Sequence, residues 1–205
     1  LEQKFKTIAT KGNLNNHIGF PLTILNVSKE TEIGIIEMGA NHKGEIKNLC
    51  EIAMPNIGYI TNFGKAHLEG FKNLKGVIEG KSELYNYLIE KNGEILINSN
   101  DKTQISQTSK YKKKKTFGNS KISDFVFKFI SPKNENISIK NDEFIFSSSI
   151  YGKYNFNNIC AAIAFGKIFD ISNDSIQKGI SSYKPKNNRS EIIKKKNTTI
   201  ILDAY

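Results

Sequence analysis

The sequence contains no G-x-x-x-x-G-K-[ST] phosphate loop, no C-x-x-C spacing and no apolar run near the roughly 20 residues of a membrane helix. The missing run excludes a helical membrane span, and no signal peptide is visible. Lys11-Gly12-Asn13 is the nearest approach to a phosphate loop and is not one. Cysteine is scarce: Cys50 and Cys160 both fall on apolar helix-like faces, with no histidine cluster nearby. Buried free thiols in a reducing cytosol are therefore expected, rather than a disulfide or a metal site. Acidic residues are also few, 20 against 30 basic ones, giving a net charge of +10. One reading of that excess is a nucleic-acid binder; the other is lysine spread over solvated faces. The only dense cluster is Lys110-Tyr111-Lys112-Lys113-Lys114-Lys115, expected as a solvated loop or edge strand.

What is present fits an ordinary soluble globular chain. It has 205 residues, 38% hydrophobic and 24% charged, enough for one large or two small domains. It does not begin with Met, and Ile200-Ile201-Leu202-Asp203-Ala204-Tyr205 reads as a strand cut at its end. The sequence therefore reads as a piece of a longer protein.

Residues 1–110 alternate strand-like and helix-like segments. Strands are expected at Glu32–Met38, Ile57–Asn62 and Glu94–Asn98, and helices at Lys43–Ala53 and Leu74–Ile89, the latter ended by Asn92-Gly93. This order implies an α/β fold with a mainly parallel sheet flanked by helices. Residues 111–150 change character. Asp124–Ile130, Asn136–Lys140 and Glu143–Ser147 read as a small antiparallel β meander, with a turn at Asn141-Asp142. Helices follow at Tyr154–Phe169 and about Asn173–Ser181, and strands at Ser190–Lys194 and Thr198–Asp203.

The polar run Thr10–Thr23, between Thr7-Ile8-Ala9 and a helix opening at Pro21, suits recognition of a phosphorylated ligand. Its asparagines offer paired donors and acceptors, and its glycines let the backbone come close. Glu37 lies at the carboxyl end of an apolar strand, where ligands bind in open α/β sheets and a carboxylate can hold Mg²⁺. His67 lies in the loop after the next strand. Lys81, in Glu79-Gly80-Lys81-Ser82-Glu83, reads by itself as a solvated helix charge. Asn155, in a Gly/Asn turn before a helix, is either an anion-site residue or an N-cap. Arg189 could brace a phosphate and Asp203 a ribose hydroxyl; each alone reads as a surface charge sooner than as a ligand.

Taken in order, these segments resemble the Mur ligase superfamily, and within it the MurF type. The resemblance is carried by Thr10–Thr23, Glu37-Met38-Gly39-Ala40, Gly44-Glu45-Ile46, Ile60-Thr61-Asn62, Ala66-His67-Leu68-Glu69 and Lys81-Ser82-Glu83. It covers residues 1–205 as a central ATP-binding domain, truncated at both ends. The phosphate loop would lie upstream of Leu1, and the UDP-binding and C-terminal domains are missing. Such a fragment is expected to be inactive alone.

The resemblance implies a cytoplasmic, monomeric ATP-dependent carbon–nitrogen ligase of peptidoglycan synthesis, serving cell-wall biogenesis, cell shape and division. It implies addition of D-alanyl-D-alanine to UDP-MurNAc-tripeptide through an acyl phosphate. Glu37, His67 and Lys81 would form the catalytic metal set for Mg²⁺, with Lys81 carbamylated. Asn155 would contact the nucleotide, Arg189 the ATP phosphates and Asp203 the ribose. Asn13, Asn15 and Asn16 would lie near the substrate. One departure is Tyr154, where the family usually has His. The alternatives are a sister amide ligase (folylpolyglutamate synthase or another Mur ligase) and a basic nucleic-acid-binding module using Lys110–Lys115.

Overall fold

The computed structural model describes residues 1–64, 67–130, 136–185, 191–196 and 198–202. The chain divides into two compact units: Phe5–Asp124, and Leu1–Lys4 together with Phe125–Tyr205.

In the first unit, β1 (Thr7–Ala9) pairs in parallel with β2 (Ile33–Ile35), Ile8 opposite Gly34. Helix α1 (Gly19–Leu25) lies between them in sequence. It opens two residues before Pro21, which the first turn tolerates because its missing N–H has no partner to lose there. A second parallel set joins β3 (Ile57–Gly58), β4 (Glu94–Asn98) and β5 (Lys114–Gly118) in that order. Helices α2 (Glu45–Ala53), α3 (Leu68–Phe71), α4 (Leu74–Glu90) and α5 (Lys102–Gln107) complete the unit.

Burial explains the helices. Ile46, Leu49 and Cys50 share the inner face of α2 and pack with Phe20 of α1. Tyr85 and Leu88 of α4 pack with Ile60, Ile95 and Ile97. The helix is started by Asn73, whose side chain accepts the Gly76 N–H at 2.9 Å.

The second unit is built differently. β7 (Lys128–Ile130), β8 (Asn136–Asn141) and β9 (Phe144–Tyr151) form an antiparallel sheet, with Asp142 in the left-handed region at the tight turn. The short strand β6 (Phe125–Val126) precedes them. A 3₁₀ turn (Lys153–Asn155) leads into α6 (Phe156–Ile168), followed by α7 (Asn173–Ser182) and the hairpin β10 (Glu191–Lys195) with β11 (Thr198–Leu202). Helix α7 docks on β9 through Gln177, which accepts the Ser147 N–H at 2.8 Å and donates to the Ser147 carbonyl at 2.9 Å. The amide thus completes strand hydrogen bonding as another strand would.

The expected α/β class, parallel strands and antiparallel meander are all present. Several boundaries differ, for identifiable reasons. The strand expected at Glu32–Met38 ends at Ile35, because the Glu37 N–H bonds the Thr10 hydroxyl instead of a strand neighbour. The one expected at Ile57–Asn62 ends at Gly58, and the Ile60 carbonyl takes the Gln104 side chain. The segment Asp124–Ile130 is two strands interrupted at buried Phe127. The helix expected from Tyr154 begins as the 3₁₀ turn and turns α-helical at Phe156. Helix α5 was not expected; its residues are mostly polar, and its signal is the Asp101 carboxylate, which accepts the Thr103 N–H at 2.8 Å. The positions Ser190 and Asp203 in the expected closing strands lie outside the described residues.

Candidate functional site

The ends of β1 and β2 place Thr10 and Glu37 side by side. Thr10 donates its backbone N–H to the Ile35 carbonyl at 3.0 Å and accepts the Glu37 N–H on its hydroxyl at 2.9 Å. The exposed Glu37 carboxylate is met by the Asn-rich loop: Asn15 Nδ2 donates to Glu37 Oε1 at 2.7 Å. The backbone repeats the link, since the Gly39 N–H donates to the Asn15 carbonyl at 2.7 Å. Asn16 does something else. Its Oδ1 accepts the Ile18 and Gly19 N–H groups at 3.0 and 2.9 Å, opening α1. Asn13 is exposed.

Lys81 projects from α4 and donates to the Asn62 carbonyl at 2.7 Å, at the loop that follows β3. It is half-buried, and desolvation lowers the proton affinity of its amine below the ordinary lysine value. His67 is exposed and left-handed (φ 54°), and its carbonyl accepts the Gly70 and Phe71 N–H groups that start α3. Among the described residues no three His, Cys, Asp or Glu side chains cluster to hold a metal ion. Glu37 and His67 therefore do not complete a centre as ordinary side chains.

Two features escaped sequence reasoning. Glu83, two residues after Lys81 on α4, accepts the Gly44 N–H at 2.6 Å and the Lys47 N–H at 2.9 Å, capping α2 from a neighbouring helix. That long-range cap leaves no local signature beyond Gly44, whose φ of 90° calls for glycine. The second is a cleft of about 400 Å³ lined by Lys43, Phe71, Lys72, Asn73, Lys75 and Glu79. Lys43 is ion-paired with Glu79 there, which holds the Glu79 carboxyl below its usual value.

The basic run is put to internal use. Tyr111 packs against the β3–β4 core, and its hydroxyl donates to the Gly93 carbonyl at 2.5 Å. Lys113 and Lys114 donate to the Asn92 and Thr108 carbonyls at 2.8 and 2.5 Å, and Lys115 pairs with Asp124 at 3.6 Å. Lys114 and Lys115 open β5, while Lys110–Lys113 lie in the loop before it. This disfavours the nucleic-acid reading, which needs the aromatic on the basic face.

In the second unit, Asn155 occupies the N-cap position of α6 without capping through its side chain. Its Nδ2 donates to the Tyr151 carbonyl at 2.8 Å, and Asn158 donates to its Oδ1 at 3.4 Å. Tyr154 is 58% exposed. Arg189 and Asp203 lie outside the described residues. Both cysteines are buried free thiols, as expected; burial pushes the Cys50 thiol up to about 12 and raises that of Cys160 as well. No helix among the described residues is long and apolar enough to cross a membrane.

The chain is similar to known proteins. The chain is 37% identical over 208 residues to the UDP-N-acetylmuramoyl-tripeptide–D-alanyl-D-alanine ligase of Bacillus subtilis, covering 100% of this chain and 45% of that protein. It is 31% identical over 196 residues to the Escherichia coli ligase of the same name, covering 90% of this chain and 42% of that one. It thus spans about half the length of the curated relatives it matches. Among solved structures, MurF from Acinetobacter baumannii superposes with a TM-score of 0.87 at 28% identity, covering 100% of this chain and 46% of that one. MurF from Thermotoga maritima in complex with ADP gives 0.83 at 27% identity, covering 100% and 48%. Residues 1–166 match the Mur ligase middle domain, and the chain belongs to that family.

Proposed function

We propose that this chain is the ATP-handling middle part of a ligase that joins D-alanyl-D-alanine to UDP-MurNAc-tripeptide in peptidoglycan synthesis. The observation that carries the reading is the 37% identity to the B. subtilis ligase along the whole of this chain. The ADP in the T. maritima relative supports ATP as co-substrate. The protein would act in the cytoplasm, as a monomer, in cell-wall growth, cell shape and division.

The residues present past the ends of β2 and β3 offer the donor types of a Mg²⁺ site. Glu37 offers a carboxylate oxygen and His67 an exposed imidazole. Lys81 becomes a third ligand only after its amine attacks CO₂. The ammonium first loses a proton; the neutral amine then forms a nitrogen–carbon bond as one C=O π bond of CO₂ opens, a second proton leaves the nitrogen, and a carbamate with one negative charge shared over two oxygens results. The lowered proton affinity of the half-buried amine favours that step, because only the neutral amine is nucleophilic. When bound, Mg²⁺ supplies charge stabilisation to phosphoryl oxygens.

Around that site, the Asn13–Asn16 loop borders the acceptor peptide. Asn13 has its amide exposed, Asn16 retains its Nδ2 donor, and Asn15 is shared with Glu37. Asn155 contacts the nucleotide, Arg189 the phosphates and Asp203 the ribose. The tripeptide carboxylate attacks the terminal phosphoryl group of ATP, ADP departs, and the dipeptide amine displaces phosphate from the acyl phosphate. Cations and donors, not a protein nucleophile, meet the developing charge.

The test grafts this chain in place of the matching residues of the B. subtilis ligase and measures phosphate release. With ATP, Mg²⁺ and UDP-MurNAc-tripeptide, release that depends on D-alanyl-D-alanine is expected. Release that needs a single amino acid, or glutamate with a folate, would assign the chain to a sister ligase.

A further inference from the structure

We propose that Asn15 is a positioning residue that sets the Glu37 carboxylate, so that the Asn-rich loop and the metal bind interdependently. The proposal rests on Glu37 being a metal ligand, as argued above.

Three contacts fix the arrangement. The Gly39 N–H holds the Asn15 carbonyl at 2.7 Å, and the Asn15 N–H donates to the Asn13 carbonyl at 2.8 Å, so the loop backbone is pinned on both sides of the side chain. Asn15 Nδ2 then reaches Glu37 Oε1 at 2.7 Å. The amide lies flat against Gly39: a Cβ there would stand 2.9 Å from Asn15 Cγ, so any larger residue would displace it. On the other side, the Thr10 hydroxyl holds the Glu37 N–H at 2.9 Å. Backbone and side chain of Glu37 are thus oriented from two different segments.

The residue type matters as much as the distance. An amide donor orients a carboxylate without neutralising it, whereas a lysine or arginine would cancel the charge that a cation needs. One lone pair of Oε1 is occupied, and the other oxygen, Oε2, remains available. Hydrogen bonds of this kind to ligating groups hold the ligand's orientation and tune affinity. Because Asn15 also belongs to the loop assigned to the substrate, a ligand that moves that loop moves Glu37. By linkage the metal acts back on the loop to the same extent.

The experiment measures Mn²⁺ binding to the full chain by electron paramagnetic resonance of the free ion, with bicarbonate present. It compares wild type with Asn15→Ala, Asn15→Leu and Glu37→Ala. Asn15→Leu preserves volume and serves if the smaller variant fails to fold; melting temperatures verify both. The expected result is a loss of about 10- to 100-fold in Mn²⁺ affinity for the folded Asn15 variants and a larger loss for Glu37→Ala. Wild-type affinity in folded Asn15 variants, with loss only in Glu37→Ala, would overturn the role of Asn15 and leave the metal reading standing. No Mn²⁺ binding, or binding unmoved by Glu37→Ala, would overturn both.

Discussion

Strand Glu94–Asn98 of the first unit is buried along four of its five residues, whereas Asn136–Asn141 of the second alternates, with Ile137, Ser138, Ile139 and Lys140 in turn buried and half-buried. Parallel strands are covered on both faces, so their chemistry is pushed to their ends; antiparallel strands can place a polar face along their length. The polar groups follow that rule. In the first unit they gather past strand ends: Glu37 after β2, Asn62 after β3, and Gln104 binding both the Ile60 carbonyl and the Asn98 N–H. In the second, Lys140, Ser147 and Ser149 lie within the strands themselves. The unit with the less adaptable sheet carries the denser candidate site.

The sharpest way to break this contrast is Lys81→Ala in the grafted ligase. A fall in dipeptide-dependent phosphate release of about 1000-fold is expected, the scale of removing one group that stabilises transition-state charge. A short-chain carboxylic acid should restore part of the rate. An equal loss from Asn155→Ala, with Lys81→Ala near wild type, would place the chemistry in the other unit.

Core truncation tests the strand difference by chemical denaturation. Leu96 and Ile97 are neighbours, 0% and 2% exposed, so each truncation to alanine should cost about 3 kcal/mol. The neighbours Ile145 and Phe146 are 52% and 1% exposed, so Phe146→Ala should cost about 3 kcal/mol and Ile145→Ala under about 1 kcal/mol. Equal costs at 145 and 146 would erase the alternation.

Smaller effects attach to backbone geometry and caps. Gly44→Ala should cost about 1 kcal/mol, purely conformational because no atom lies within 4 Å of the added Cβ. Ser172→Ala, which removes the acceptor for the Ser175 N–H at 3.3 Å, should cost about 1 kcal/mol in the melting curve of the second unit.

The smallest signal is expected from thiol alkylation, since each unit holds one buried cysteine. With the Cys50 thiol raised from 9.0 to about 12, its thiolate near pH 8 is about a thousand-fold rarer than an unperturbed one. Both thiols should stay unlabelled in the folded chain and react only on opening. Whichever cysteine reacts first in mild denaturant identifies the less stable unit.

Local signals were legible because their causes are local. Helix α4 was readable as Leu74–Ile89 ended by Asn92-Gly93, and β4 as the strand-like segment Glu94–Asn98. The Asn-rich loop stood out by composition and Glu37 by its place at a strand end, whereas Lys81 was singled out only through the resemblance, which the family match bears out. What could not be read was which partner each polar group finds. Nothing near Asn15 announces that its amide meets a carboxylate 22 residues on, nor anything near Glu83 that it caps a helix 36 residues back.

The sequence by itself determined the alternation of strands and helices, the switch to an antiparallel meander, the two inert thiols and the family, all from periodicity, composition and motif order. Only the tertiary structure decided that β2 stops at Ile35, that Lys113 and Lys114 bond backbone carbonyls while Tyr111 packs on the core, and that Asn15 orients Glu37. Hydrogen bonds between distant residues depend on where the packed elements bring their ends, and no local pattern records that.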